Sequence, residues 1–316
     1  MEAVRRAVID VGTNSIKLLV AEVAGREVRP VHEESRQTRL GQGFYETRRL
    51  QPEAIAHTAA AVWEFAETAR EKGAGSIRVI ATSAARDAVN PADLTTAIRR
   101  AADLKVEIIS GEQEAEWVFR GVNTDAELAK QPLLLLDVGG GSTEFILGHG
   151  AHQRFAHSFP LGTVRLLEKF PPSDPPTRGE FAACRDWVKE FLQKEVRPKL
   201  EPALHREVKP GSATSRIQLV GTGGTTSILA RIEKKLDRFD RERIESTVLS
   251  REQVTAYRKQ FWGLPLAKRK EITGLPKLRA DVILTGVVIY EAVMEEFDFK
   301  QLRVSTRGLR FAAVME

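Results

Sequence analysis

The sequence predicts a mixed α/β protein made of two related lobes. Two observations carry the prediction: a pair of aspartate-led glycine turns about one domain apart, and an alternation of apolar strands with amphipathic helices. The first turn is Ala7-Val-Ile-Asp10-Val-Gly12-Thr13-Asn14-Ser15, followed by Ile16-Lys17-Leu-Leu-Val-Ala21. The second is Leu133-Leu-Leu-Leu-Asp137-Val-Gly139-Gly140-Gly141-Ser142-Thr143-Glu144, followed by Phe145-Ile-Leu147. Each reads strand, tight turn, strand, because β-forming residues flank small residues that permit a sharp reversal. Their similarity suggests a duplicated lobe, and 316 residues suffice for two domains with separate cores.

In order along the chain, strands are expected near 4–10, 16–23 and 26–32, as a meander. A helix begins at Pro52, with Ile55, Ala59, Val62, Ala66 and Ala69 on one stripe and Gly73 at its end. Strands at 77–82 and from Val106 bracket a helix over 92–103. The second half repeats the theme, with strands flanking the second turn, helices near 177–196, and a strand at 217–220. Helices follow at 225–235, 251–261 and 280–296, while 170–176 and 205–215 read as Pro- and Gly-marked loops.

Composition narrows the class. The hydrophobic fraction is 42%, and no apolar run approaches the ~20 residues of a membrane helix. The opening residues enter a strand without a signal-peptide core, so a cytoplasmic location and no membrane partner are expected. Cys184 is the only cysteine, which excludes an intramolecular disulfide and a cysteine-rich zinc site. Net charge is +5, yet acids interleave with the bases, as across 231–243, and no nucleic-acid polymer is expected as partner.

The chemistry points to phosphate. Converging amides in a glycine turn make an anion site, to which Ser and Thr hydroxyls add donors. The leading aspartates stand where a cation accompanying phosphate needs hard oxygen ligands. A third turn, Val220-Gly221-Thr222-Gly223-Gly224-Thr225, opens a helix whose amide-rich start favours anions. The chain has no G-x-x-x-x-G-K-[ST] loop, no G-x-G-x-x-G fingerprint and no G-x-S-x-G elbow. His149, His152 and His157 lie around Gly150 and read as a turn with exposed histidines rather than a metal site. At Ser110-Gly111-Glu112-Gln113-Glu114-Ala115-Glu116, acids open a helix. They either stabilise its dipole or, at Glu114, orient an attacking water, and the residues alone leave both open.

The blocks Ile9–Ser15, Arg39–Gly43, Ala81–Asn90, Ile109–Ala115, Asp137–Glu144, Pro160–Arg165, Gly221–Thr225 and Arg279–Leu284, in that order, resemble the exopolyphosphatase/guanosine pentaphosphate phosphohydrolase (Ppx/GppA) family. The family belongs to the actin, sugar kinase and Hsp70 superfamily. The resemblance implies two actin-like (ribonuclease H-like) lobes with an interlobe active-site cleft. The lobes would be 1–122 with 306–316, and 123–305. It implies Glu114 as catalytic base, and Asp137 and Glu144, with Asp10 sharing the work, as acids that bind Mg2+, with Mn2+ as the alternative ion, or position the nucleophilic water. Phosphates would contact Gly12, Thr13, Asn14, Ser15, Gly139, Gly140, Gly141, Ser142, Thr143, Gly223, Gly224 and Thr225. Lys17, Arg86 and Arg279 would add positive charge, with an ion pair to Asp87 or a helix-start acid as the structural alternative for Arg86.

The resemblance implies an exopolyphosphatase that releases terminal orthophosphate from inorganic polyphosphate. The alternatives are a guanosine pentaphosphate 5′-phosphohydrolase and a non-catalytic polyphosphate or alarmone sensor, guanosine tetraphosphate being a further ligand. A homodimer is common among relatives. Three departures are visible: Gln113 replaces an acid, Thr13 replaces a common serine, and 305–312 lacks the acid and glycine of the usual ending. The chain resembles the short two-lobe members, for which a shorter polymer track and weaker processivity are expected.

Overall fold

The computed structural model describes residues 3–207 and 217–316, and the chain divides into two compact units. Unit 1 comprises Met1–Thr124, Gly139–Gly141 and Arg307–Glu316; unit 2 comprises Asp125–Val138 and Ser142–Thr306.

Unit 1 opens with a meander of β1 (Val4–Val11), β2 (Ile16–Ala24) and β3 (Glu27–Arg36). After a short helical turn, α1 (Phe44–Thr47), the long helix α2 (Pro52–Glu71) crosses to β4 (Ser76–Ala81). Pro52 occupies the first turn of α2, where its missing N–H costs nothing, and the predicted stripe from Ile55 to Ala69 is buried. Then come α3 (Ser83–Asp87), α4 (Pro91–Ala102), β5 (Val106–Ile108) and α5 (Gly111–Val122). The sheet order is β3-β2-β1-β4-β5, with β4 and β5 parallel to β1. Its core is Ile9, Val11, Leu18 and Val20 packed on Val62, Phe65 and Ile98.

Unit 2 carries β6 (Pro132–Val138), β7 (Thr143–His149) and β8 (His152–Phe159), then α6 (Thr163–Lys169). Next, α7 (Arg178–Phe191) runs through a widened π turn, Leu192–Val196, into α8 (Arg197–Glu207). The predicted loop at 205–215 is therefore helical to 207, and from 208 it lies outside the described residues. After β9 (Gln218–Thr222) come α9 (Gly224–Glu233), α10 (Arg241–Glu245), β10 (Val248–Ser250), α11 (Arg251–Trp262) and α12 (Leu266–Arg269). The buried α13 (Ile283–Glu296) and β11 (Gln301–Val304) complete the unit. The sheet order is β10-β11-β9-β6-β7-β8. Without β10, this repeats unit 1 strand for strand: an antiparallel meander followed by two parallel strands beside its first member. Last, α14 (Leu309–Ala313) belongs to unit 1 and packs on α5.

No helix among the described residues is long and apolar enough to cross a membrane. His149 and His152 pair across the β7–β8 turn and are exposed, whereas the His157 ring lies 4.4 Å from that of Phe159.

Candidate functional site

In unit 1 the β1–β2 ladder ends at Val11↔Ile16, leaving Gly12–Ser15 as a four-residue turn. The Gly12 amide donates to the Ser15 carbonyl at 3.1 Å and closes it. From outside, the Arg39 amide donates to Asn14 O (3.0 Å) and the Gly41 amide to Thr13 O (2.7 Å). Thr13, Asn14 and Ser15 are all buried, and the Asn14 Nδ2 has no hydrogen-bond partner. Gly139–Gly141, part of the same unit, come against this turn. A Cβ on Gly140 would fall 2.8 Å from Thr13 Cβ and 3.3 Å from the Asn14 nitrogen; one on Gly141 would fall 2.4 Å from both Ser83 Oγ and Tyr45 Oη. Only glycine fits such an approach.

Asp10 is 3% exposed, and its Oδ1 lacks a hydrogen-bond partner. Its ladder partner Lys17 brings Nζ to 3.9 Å from Oδ2. Burial raises the Asp10 pKa above the usual carboxylate value, opposed by the charges of Lys17 and Arg310. Arg310 is held nearby by donating to the Leu18 carbonyl at 2.7 Å.

Glu114 sits in the first turn of α5, behind the N-cap Ser110, whose hydroxyl accepts from the Gln113 amide at 3.1 Å. This cap fixes the helix start, so the carboxylates alternate in fate as the helix turns. Glu112 and Glu116 are exposed, whereas Glu114 is 6% exposed and accepts from Arg86 Nη1 at 2.9 Å. Arg86 also donates to Ile109 O at 3.3 Å and lies 3.7 Å from Asp87. Both structural partners considered for Arg86 are thus present, and the helix-start acid is Glu114 itself. The Gln113 side chain donates to Glu116 at 3.3 Å.

In unit 2 the β6–β7 ladder pairs Asp137 directly with Glu144, the same register position that Asp10 and Lys17 hold in unit 1. Opposed carboxylates at that spacing repel unless a cation or donor offsets them. Glu144 is 1% exposed and accepts from Ser158 Oγ at 2.7 Å. The Thr143 hydroxyl, predicted to meet phosphate, instead donates to Leu161 O. Gly223, at φ 90°, lies so close to Asp137 that a Cβ there would fall 2.5 Å from Oδ1. Gly224 opens α9, Thr225 is buried behind it, and a Cβ on Gly224 would fall 2.4 Å from Arg279 Nη2. The α9 start has no side-chain cap, so its amides suit an anion.

Among the described residues no three His, Cys, Asp or Glu side chains form a metal-holding group. The family model described as the Ppx/GppA phosphatase family matches residues 19–315. The chain belongs to the Ppx/GppA phosphatase family. It is 37% identical over 308 residues to exopolyphosphatase 2 of Mycobacterium tuberculosis, covering 94% of this chain and 92% of that protein. The solved Ppx/GppA enzyme of Aquifex aeolicus is 30% identical with a TM-score of 0.76, covering 99% of both chains. An exopolyphosphatase from Cytophaga hutchinsonii is 28% identical with a TM-score of 0.84, over 98% of this chain and 96% of that one. Membership makes this chain a phosphoanhydride hydrolase with the actin-like α/β fold of the Ppx/GppA proteins.

Three residues that sequence reasoning missed stand beside the predicted ones. Tyr290, fully buried in α13, donates toward Leu136 O (3.2 Å) and Thr222 O (3.1 Å), tying the strands that carry Asp137 and the third turn. Burial, then the Asp137 charge, raises its pKa well above the usual phenol value. Arg310 lies near Asp10 and Ser83 near Gly141. Tyr290 reads in sequence as helix core, and Ser83 is hidden in the block read for Arg86.

Proposed function

We propose that this protein is an exopolyphosphatase that hydrolyses the terminal phosphoanhydride of inorganic polyphosphate, releasing orthophosphate. The observation that carries the reading is at the first glycine turn, where Asp10 Oδ1 and Asn14 Nδ2 are both buried and unpartnered. Folded proteins satisfy nearly all such groups, so an acceptor and a donor left open together mark a place made for a polar ligand. The exopolyphosphatase name of the Mycobacterium tuberculosis relative supports polyphosphate as that ligand.

The Gly12–Ser15 and Gly139–Gly141 backbones, with the Asn14 and Ser15 side chains, bind phosphate oxygens in unit 1, and Lys17 adds positive charge. In unit 2, Ser142, the Gly223–Thr225 turn and Arg279 form a second phosphate contact. Glu114 orients the attacking water and accepts its proton, while Arg86 fixes the carboxylate's direction. The donor set also fits a divalent cation. Mg2+ characteristically takes one or two carboxylates and fills its shell with phosphate oxygens and water. Asp137 and Glu144 would hold it, and Asp10 offers its own open oxygen in unit 1. Such an ion supplies charge neutralisation on the phosphoryl oxygens.

The test is orthophosphate release with Mg2+, or with Mn2+ in its place, from long-chain polyphosphate against guanosine pentaphosphate at matched terminal-phosphate concentration. A higher kcat/KM for polyphosphate is expected. Preference for the nucleotide would move the function to alarmone turnover, and binding without release would make the protein a sensor.

A further inference from the structure

We propose that Ser83 contacts the substrate in this reaction, its Oγ donating a hydrogen bond to a phosphate oxygen held at the glycine turns. Ser83 opens α3 immediately after β4 and is 3% exposed, yet its hydroxyl has no hydrogen-bond partner. A buried hydroxyl without a partner is a cost to the free protein that a ligand can remove. Its surroundings say which ligand. Ser83 Oγ lies against Gly141 of the glycine-rich turn, at the spot a side chain on Gly141 would fill. The neighbouring Gly140 lies against Thr13 and the Asn14 nitrogen of the first turn. Three residues along α3, Arg86 holds the Glu114 carboxylate. The Ser83 hydroxyl and Tyr45 Oη both face the spot a side chain on Gly141 would fill, beside a glycine-rich backbone turn of the kind whose amides favour an oxyanion. Within this group the unpartnered Asn14 Nδ2 is a second open donor. A serine donor to a charged oxygen is among the stronger hydrogen bonds a neutral side chain makes.

This proposal rests on the polyphosphatase reading, and its test separates the two. Ser83→Ala and Ser83→Cys are compared with wild type for kcat/KM on long-chain polyphosphate, and for melting temperature with and without inorganic phosphate. Both variants are expected to lose about 10–100-fold in kcat/KM, the range for a hydrogen bond to a charged group. Ser83→Ala without phosphate should melt at or above wild type, because it deletes an unsatisfied polar atom. Inorganic phosphate should raise the melting temperature of wild type more than that of either variant. The proposal is overturned by any one of three results: Ser83→Ala retains full kcat/KM and phosphate protection; Ser83→Cys behaves as wild type while Ser83→Ala is impaired, so that volume matters and the donor does not; or Ser83→Ala melts well below wild type without phosphate, so that the hydroxyl has a structural partner. A wild-type enzyme that is protected by phosphate through Ser83 but releases none from polyphosphate would defeat the functional reading and leave the contact standing.

Discussion

Replacing Glu114 by glutamine separates chemistry from folding. The side chain keeps its size and one oxygen that can accept from Arg86 Nη1, now 2.9 Å from Oε2. What is lost is the ionic part of that hydrogen bond, about 1 kcal/mol from the difference between charged and neutral pairs. The ~3–5 kcal/mol cost of stranding a buried charge does not apply. Arg86 is still 21% exposed, lies 3.7 Å from Asp87 and donates to the Ile109 carbonyl. A melting temperature lower by a few degrees is therefore expected. The catalytic effect is larger. Loss of a positioned general base costs about 10²–10⁴-fold in turnover, or roughly 2.7–5.4 kcal/mol of barrier. The assay is steady-state phosphate release from polyphosphate beside a circular-dichroism melt of the same preparation, with KM within a few-fold of wild type. A turnover that falls less than ~10-fold, below the general-base range, in a variant that melts normally would remove Glu114 from the central role.

Three further outcomes are expected. Gly121→Ala would place a Cβ 2.0 Å from the Gly308 carbonyl oxygen, forcing α5 away from the segment that enters α14; a loss of about 1–3 kcal/mol or more in urea unfolding is predicted, and an unchanged midpoint would contradict so close a backbone approach. Glu180 accepts from the Thr177 amide at 2.7 Å and from the Ser173 amide at 2.9 Å, which holds its pKa down to about 2. Because the folded pKa lies below the ordinary 4.5, this contribution is present above that value and is lost as pH falls towards 2. The stability gap between wild type and Glu180→Gln should therefore shrink on acidification, and a gap indifferent to pH would refute the cause given. Burial pushes the Cys184 thiol up to about 12, so an alkylating reagent at mildly alkaline pH should label it only after denaturation; labelling of the native protein, read by mass spectrometry, would show that the thiol is open.

Much of the fold was legible because its signals are local. The strands around Asp10 and Asp137, the proline start of α2 and the glycine after it depend on neighbours in sequence, and each element stands where the pattern put it. Of the elements not foreseen, α6, β10 and β11 span 7, 3 and 4 residues, too few for periodicity to build a signal, while β8 and α8, of 8 and 11 residues, lie where polar residues and Pro202 obscure the pattern. Their place is set by packing and ladder partners elsewhere in the chain.

For the site, the sequence by itself determined which residue types could meet phosphate. Glycine turns, hydroxyls and acids are chemistry that can be read one residue at a time. Only the tertiary structure decided how each side chain is used. It directs the Thr143 hydroxyl to Leu161, pairs Arg86 with Glu114, and opposes Asp137 to Glu144 where the equivalent pair in unit 1 is Asp10 and Lys17. It also leaves Asp10 Oδ1, Asn14 Nδ2 and Ser83 Oγ buried without partners. The physical reason is that a hydrogen bond is a relation between two groups. The sequence names the donors and acceptors, but the distances that match or strand them arise only when strands distant in the chain become neighbours.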